Sequence, residues 1–325
     1  MQAIIHTQYG PPEALELKEI AKPTIGASDV LVKVHAAALN AYDWHILRAD
    51  PFIARLTTGL FKPKKTLLGA DIAGRVEAVG QNVQQFKPGE AVFGEISMVG
   101  GGFAEYVAAP ESALAHQPAN LSFEEAAAVP MAAMTALQGL RDGGKLKAGQ
   151  KALIHGASGG VGTFAVQLAK VLGAEVTAVC SARSVAQAYA LGADHVIDYT
   201  QTDFAQQGQL YDVILAVGGN RTLDDYQRAL TRRGIYVMVG GSNSQIFQAL
   251  LLGAFKTRAG GQTFTVITEK PNQKDLTYLK GLLETGVIKP VLDRCYPLSK
   301  VPEAIRYLEQ GHPKGKIIIQ IQAKQ

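Results

Sequence analysis

Through the first third of the chain the apolar positions come in short runs, such as Val30-Leu31-Val32-Lys33-Val34 and Val76-Glu77-Ala78-Val79, broken at close intervals by glycine and proline. Short runs rich in β-branched residues and punctuated in this way predict strands. Residues 1 to about 122 therefore read as a mostly β module, opening with a strand and a turn at Gly10-Pro11-Pro12. The texture changes at Ser122, where Glu125 three residues later completes a capping-box pattern ahead of the apolar run 126–140. A helix is expected there, kinked or divided by Pro130 and ended by Gly143-Gly144.

After Gln150 the period alternates. An apolar run at 151–155 precedes a helical pattern at 160–172, a strand-like run at 175–179 and a helix around 184–190. Further strand candidates lie at 195–197, 213–217, 236–239 and 264–267, with helical segments between most of them. Alternating βα units specify a parallel, doubly wound sheet with right-handed crossovers. In the tail, Val301, Ala304, Ile305 and Leu308 share one helical face, and 316–321 reads as a last strand that rejoins the N-terminal module.

Composition narrows the class. The 325 residues exceed one ordinary core and suggest about two domains. With 47% hydrophobic and 18% charged residues, the chain belongs with well-buried globular proteins and not disordered ones. Two cysteines cannot build a disulfide scaffold or a four-thiolate zinc knuckle. A net charge of +4 is too weak a field to suggest nucleic acid as partner. The N-terminus lacks a secretory pattern, so a cytoplasmic location is expected. The charge-free stretch 234–255 has bilayer length, but turn chemistry at 240–245 interrupts it, so no integral membrane segment is expected.

The chemistry-bearing motif is His155-Gly156-Ala157-Ser158-Gly159-Gly160-Val161-Gly162, which follows an apolar run and opens a helix. As a dinucleotide fingerprint it has Ala157 in the first glycine position, Gly159 where backbone approaches a pyrophosphate, and Gly162 where helix packs on strand. Free N–H groups at the helix start would bind the negative charge. The second strand then ends in Cys180-Ser181-Ala182-Arg183, with no carboxylate at the turn to hold a ribose 2′-hydroxyl. Ser181 and Arg183 suit a 2′-phosphate instead, which favours NADPH over NADH; otherwise Arg183 is a solvated first-turn residue. Val217-Gly218-Gly219 and Val239-Gly240-Gly241-Ser242 stand at the ends of the fourth and fifth strands, where such sheets place ligands or simply turn into helices.

With these features in view, the stretches Ala38-Leu39-Asn40-Ala41-Tyr42-Asp43, Leu68-Gly69-Ala70-Asp71-Ile72-Ala73-Gly74 and Gly102-Phe103-Ala104-Glu105-Tyr106 resemble the medium-chain dehydrogenase/reductase superfamily. More narrowly, they resemble its zinc-independent quinone oxidoreductase branch. The resemblance implies an α/β fold: a GroES-like, mostly β catalytic domain over 1–124 and 268–325, and a Rossmann doubly wound parallel-sheet domain over 125–267. It places Asn40 and Asp43 near the nicotinamide, although both residue types are also ordinary turn formers. It places Thr135, Tyr199 and Lys316 at the cofactor, where each has a packing or surface alternative. Where zinc members of the superfamily begin their metal site with a Cys and a His-Glu pair, this chain has Asn40 and Asp71, so no metal is expected.

The implied reaction is hydride transfer from NADPH to a quinone or an α,β-unsaturated carbonyl, with Tyr42 a candidate hydrogen-bond or proton donor, or else a packing aromatic. The alternatives are a carbonyl/alcohol dehydrogenase of the same superfamily and a nucleotide-binding protein without turnover. A homodimer is implied as well, with the apolar segment 247–255 either an interface or a core helix. Residues 48–65 interleave basic and apolar side chains and read as a flap or surface-binding element, or as a solvated loop with a few buried anchors.

Overall fold

The apolar runs become strands that sort into separate sheets in a computed structural model, which describes residues 1–52, 55–218, 221–241, 261–311 and 313–321. In chain order the strands are β1 (Gln2–Ile5), β2 (Glu16–Glu19), β3 (Asp29–Ala38), β4 (Asp71–Val79), β5 (Ala91–Glu95), β6 (Tyr106–Pro110) and β7 (Leu114–His116). They continue as β8 (Lys151–His155), β9 (Glu175–Cys180), β10 (His195–Asp198), β11 (Tyr211–Ala216), β12 (Leu230–Met238), β13 (Thr263–Val266), β14 (Leu292–Pro297) and β15 (Lys316–Gln320). The chain divides into two compact units, one of residues 1–131, 271–286 and 290–325, the other of 132–270 and 287–289.

In the first unit a sheet of order β14-β15-β3-β4-β5-β7, with β6 also on β3, carries the core on β3. Seven of the ten β3 residues are apolar or small, and both of its faces are largely buried, as a central strand requires. The expected return of the tail is seen: β15 pairs antiparallel with β3, setting Ile318 opposite Ala38, while β4 sets Asp71 opposite Ala38 from the other side. Two residues further along the β15–β3 register, Lys316 comes opposite Asn40. Val301, Ala304 and Ile305 of the helix Val301–Glu309 pack with Ile317 and Ile319, while Leu308 joins them half-buried. The chain thus joins its C-terminal strand to an N-terminal one inside this sheet.

The second unit is a six-stranded, wholly parallel sheet of order β10-β9-β8-β11-β12-β13. This is the doubly wound arrangement expected from the alternating pattern, with strand order reversing between β8 and β11. Ser122 and Glu125 close the expected capping box over Phe123–Ala127, and the helix stops before a new one begins at Pro130. β12 starts at Leu230, earlier than the apolar pattern suggested, because Thr231, Arg232 and Arg233 extend the strand on exposed or half-exposed positions. Helix α1 (Gly160–Val171) starts directly after the glycine loop and buries a continuous face from Gly162 to Ala169.

Gly162 is where that helix meets the loop. A Cβ there would lie 2.1 Å from the Gly156 carbonyl oxygen and 2.8 Å from the Ala157 Cα, both backbone atoms that cannot step aside. Gly162→Ala should therefore destabilise the second unit by about 1–3 kcal/mol, read as a fall of roughly 2–12 °C in the Tm of thermal unfolding. Gly159→Ala, whose Cβ would meet nothing within 4 Å, should leave the Tm unchanged. Equal Tm values for both variants and wild type would contradict this packing.

Candidate functional site

The first unit builds a buried polar cluster from the strand register just described. Asn40 follows β3 in extended conformation and caps the helix Ala41–Arg48, whose third residue is Asp43. The Asp43 carboxylate accepts the Asn40 N–H at 2.8 Å and the Gly69 N–H at 3.1 Å, so it fixes both chain entries to the site. Asp71, the first residue of β4, accepts the Met131 N–H at 3.0 Å, the Asn40 side-chain NH₂ at 2.9 Å and the Lys316 ammonium at 3.2 Å. Lys316 donates a second, 2.5 Å bond to the Asn40 Oδ1. The Lys316 and Asp71 side chains are 3% and 0% exposed.

These contacts decide which way the Asn40 amide faces. An ammonium only donates and a carboxylate only accepts, so Oδ1 must face Lys316 and Nδ2 must face Asp71. Nδ2 has one further, long contact of 3.4 Å to the Ala38 carbonyl. Beyond these partners Asn40 has one weakly engaged side-chain N–H. Burial pushes the Asp71 carboxyl up, against the Lys316 charge and the N–H donors that pull it down. Burial likewise pushes Asp43 up to about 7, with the Asp71 charge adding to it and the Asn40 and Gly69 N–H groups opposing. Next to Asp43, Tyr42 is 37% exposed and its hydroxyl donates a long 3.3 Å bond to the Ser97 carbonyl. Burial, then the Asp43 and Glu95 charges, push this phenol up, so it holds its proton at neutral pH.

The second unit carries the glycine loop at the carboxyl end of its central strand. The left-handed turn falls on Gly156, with φ +90°, and not on Ala157, the residue matched above to the first glycine position. A Cβ on Gly156 would meet the Gly218 backbone at 2.9 Å, whereas the Ala157 methyl is buried in ordinary backbone. The Gly156 and Ala157 N–H groups both donate to the Val179 carbonyl. Ser158, Gly159, Gly160 and Val161 follow at the half-buried start of α1, which Gly159 caps.

The neighbouring strand ends close in around this loop. Val217 and Gly218 donate to the His155 carbonyl, Val239 donates to the Ala216 carbonyl, and a Cβ on Gly240 would lie 2.4 Å from the Val217 carbonyl oxygen. Gly241 follows, while Ser242 and Gly219 lie outside the described residues, as does the segment 247–255. Half-buried Ser181 and exposed Arg183 stand at the end of β9. Tyr199, 48% exposed, donates its N–H to the Cys180 carbonyl beside them. The nearest carboxylate, Asp198, is held in its own turn, where Oδ1 accepts the Thr200 N–H and hydroxyl. Thr135 is buried in the helix Pro130–Gln138.

Two groups thus form. Asn40, Asp43 and Lys316 share one cluster, and residues 156–162 share another place with the ends of β8, β11 and β12. Sequence reasoning had set aside Asp71, noting it only where zinc enzymes differ, although a lone carboxylate opening a buried strand signals that a cation must come to it. It also left His155 unassigned. His155 is buried behind the loop, shares a 2.7 Å hydrogen bond with the Tyr226 hydroxyl, and is pushed down to about 4 by burial, with Arg221 adding. The imidazole there is neutral at physiological pH.

Comparison with known proteins places these features in context. Residues 26–119 match the alcohol dehydrogenase GroES-like domain, and residues 191–319 match the zinc-binding dehydrogenase family. The chloroplast envelope quinone oxidoreductase homolog of Arabidopsis thaliana is 33% identical over 98% of both chains. The 2-methylene-furan-3-one reductase of Solanum lycopersicum is 38% identical over 98% of this chain and 79% of its own. The structure of the quinone oxidoreductase from Coxiella burnetii is similar with a TM-score of 0.88, at 31% identity and 99% coverage of each chain.

The Asp43 shift fixes a pH dependence. A carboxyl whose folded pKa is raised from 3.8 to about 7 binds its proton more tightly folded than unfolded, so its contribution to stability falls as pH rises from about 4 to about 7 and is flat above. An asparagine there has no such titration. The margin by which wild type exceeds Asp43→Asn in urea unfolding should therefore shrink across that window; a margin constant from pH 4 to 8 would contradict the shift.

Proposed function

The chain belongs to the medium-chain dehydrogenase/reductase superfamily, among its quinone-oxidoreductase-like members, and from that premise we propose that this oxidoreductase uses NADPH to reduce a quinone or an α,β-unsaturated carbonyl. The single observation that carries the cofactor reading is the glycine loop: a left-handed turn at Gly156, open space beside Gly159 and a twelve-residue helix starting immediately after it. That arrangement fits a diphosphate held by main-chain N–H groups at the helix start. Val217, Gly218, Val239, Gly240 and Gly241, at the neighbouring strand ends, would flank the rest of the nucleotide, with Thr135 and Tyr199 as further cofactor contacts. Ser181 and Arg183, with no free carboxylate between them, support a 2′-phosphate and hence NADPH.

When bound, the reduced nicotinamide supplies the hydride. The acceptor then needs one proton and a hydrogen-bond donor for the oxygen on which charge develops. Asn40, oriented by Lys316 and Asp71, is the group we assign to the nicotinamide amide or the acceptor carbonyl, and Tyr42 is assigned as proton or hydrogen-bond donor. Asp43 acts through Asn40 by holding its backbone. Lys316 likewise acts through Asn40, since its ammonium is held by Asn40 and Asp71.

Although one matching family is described as zinc-binding, the donors here do not fit zinc. The Asp71 carboxylate already holds an ammonium at 3.2 Å and two N–H donors, and Asn40 is an amide where a thiolate or imidazole would be needed. Cys180 belongs to the second unit and Cys295 is an exposed residue of β14. We therefore propose zinc-independent catalysis, which favours quinone and enone acceptors over alcohol oxidation.

Steady-state rates with NADPH and NADH across quinones, enones and aldehydes test this reading. NADPH should be preferred, with quinones or enones the best acceptors and activity unaffected by a zinc chelator. Arg183→Ala should raise the KM for NADPH on the order of 10- to 100-fold, the loss of a charge-assisted hydrogen bond, and leave that for NADH nearly unchanged. Background NADPH oxidation across the whole panel, or an equal effect of the variant on both nucleotides, would contradict it.

A further inference from the structure

The most exposed large apolar side chains of the described residues are gathered in one region of the first unit, beside the Ser97 carbonyl that accepts the Tyr42 hydroxyl. Phe61 is 90% exposed, Met98 77%, Leu56 70% and Phe52 69%, more than any other large hydrophobic residue described, with Leu60 and Val99 also exposed. The two segments that carry them are tied together, since the Lys65 ammonium donates to the Met98 carbonyl. Residues 55–61 are also anchored: the Tyr9 hydroxyl bonds Thr58 and the Gly59 carbonyl at 2.8 Å, and the Arg55 guanidinium lies over the Tyr9 and Phe52 rings. These apolar side chains are therefore held out on a fixed base, which a collapsed loop would not do.

The same region concentrates the charge of the molecule. Residues 48–65 contain five basic residues against one acidic, an excess equal to the +4 of the whole chain, so the remainder is balanced. Arg48 is neutralised by Glu309. Lys62, Lys64 and Lys65 are exposed, and among the described residues none of the three has a carboxylate within ion-pair distance. Exposed aromatic and aliphatic tips rimmed by unpaired ammonium groups are the two attractions an anionic bilayer surface satisfies together: burial of apolar area in the headgroup region, and Coulomb attraction to the lipid. A second protein copy would present the same positive charge and be repelled. No described helix is long and apolar enough to cross a membrane, so such contact would be peripheral.

We propose that Phe52, Leu56, Phe61 and Met98, with Lys62 and Lys64, form a docking surface for anionic lipid bilayers. This does not rest on the oxidoreductase reading, and it is measured without turnover. Co-sedimentation of the full chain with vesicles of phosphatidylcholine, alone and mixed with phosphatidylglycerol, tests it. Binding should require phosphatidylglycerol and weaken as salt is raised. Lys62→Gln/Lys64→Gln should weaken it about 30-fold, and Phe61→Ser about 10-fold or more, with circular dichroism unchanged because all three side chains are exposed. Failure to bind the mixed vesicles, equal binding to neutral ones, or variants that bind like wild type would overturn the proposal. So would a concentration-dependent dimer in lipid-free solution that Phe61→Ser abolishes, which assigns the surface to a second copy.

Discussion

A lysine ammonium cannot be left in a protein interior without acceptors, and this constraint organises the first unit. Lys316 is almost wholly buried at the start of β15. Its charge is tolerable only because the β15–β3 register brings Asn40 opposite it and the β3–β4 register brings Asp71 alongside. The dependence runs both ways. Asp71 is itself fully buried at the start of a strand, and without the ammonium its remaining partners are an amide and one backbone N–H. The C-terminal strand β15 and the N-terminal strands β3 and β4 are therefore joined by charge as well as by backbone pairing.

The network also does something a packed apolar cluster could not: it orients an amide. With a pure donor on one side and a carboxylate on the other, Asn40 has a single orientation, while Asp43 holds its backbone from below. A preorganised polar group of this kind is what stabilisation of developing charge requires, because it needs no rearrangement when the charge appears. The second unit follows a different logic. Its neutral His155 contributes no cation beneath the glycine loop, so the loop offers oriented N–H groups, and formal positive charge comes from arginines nearby, Arg221 acting on His155 and Arg183 standing at the end of β9.

The fold was legible because its signals are local and repeated. The capping box at Ser122, the division at Pro130 and the alternation after Gln150 each depend on neighbours in sequence, and each appears where the pattern put it. The polar cluster was not legible in the same way. Asn40, Asp43 and Lys316 could be singled out by their motifs, but Lys316 meets Asp71 only through strand register across 245 residues, and the Met131 N–H reaches Asp71 from the start of a helix. The left-handed turn at Gly156 was not legible for a related reason: a fingerprint fixes spacing, whereas the positive φ falls where the Gly218 backbone comes too close for a methyl group.

A double-mutant cycle of Lys316→Met and Asp71→Asn, read by urea unfolding, probes this network most directly. Each single change leaves a buried group without its partner and is expected to cost about 3–5 kcal/mol. The double variant, which retains an acceptor for the Met131 N–H, should cost at least about 2 kcal/mol less than the two singles added together. Additive costs, or singles within about 0.5 kcal/mol of wild type, would mean that the ammonium and the carboxylate do not support one another.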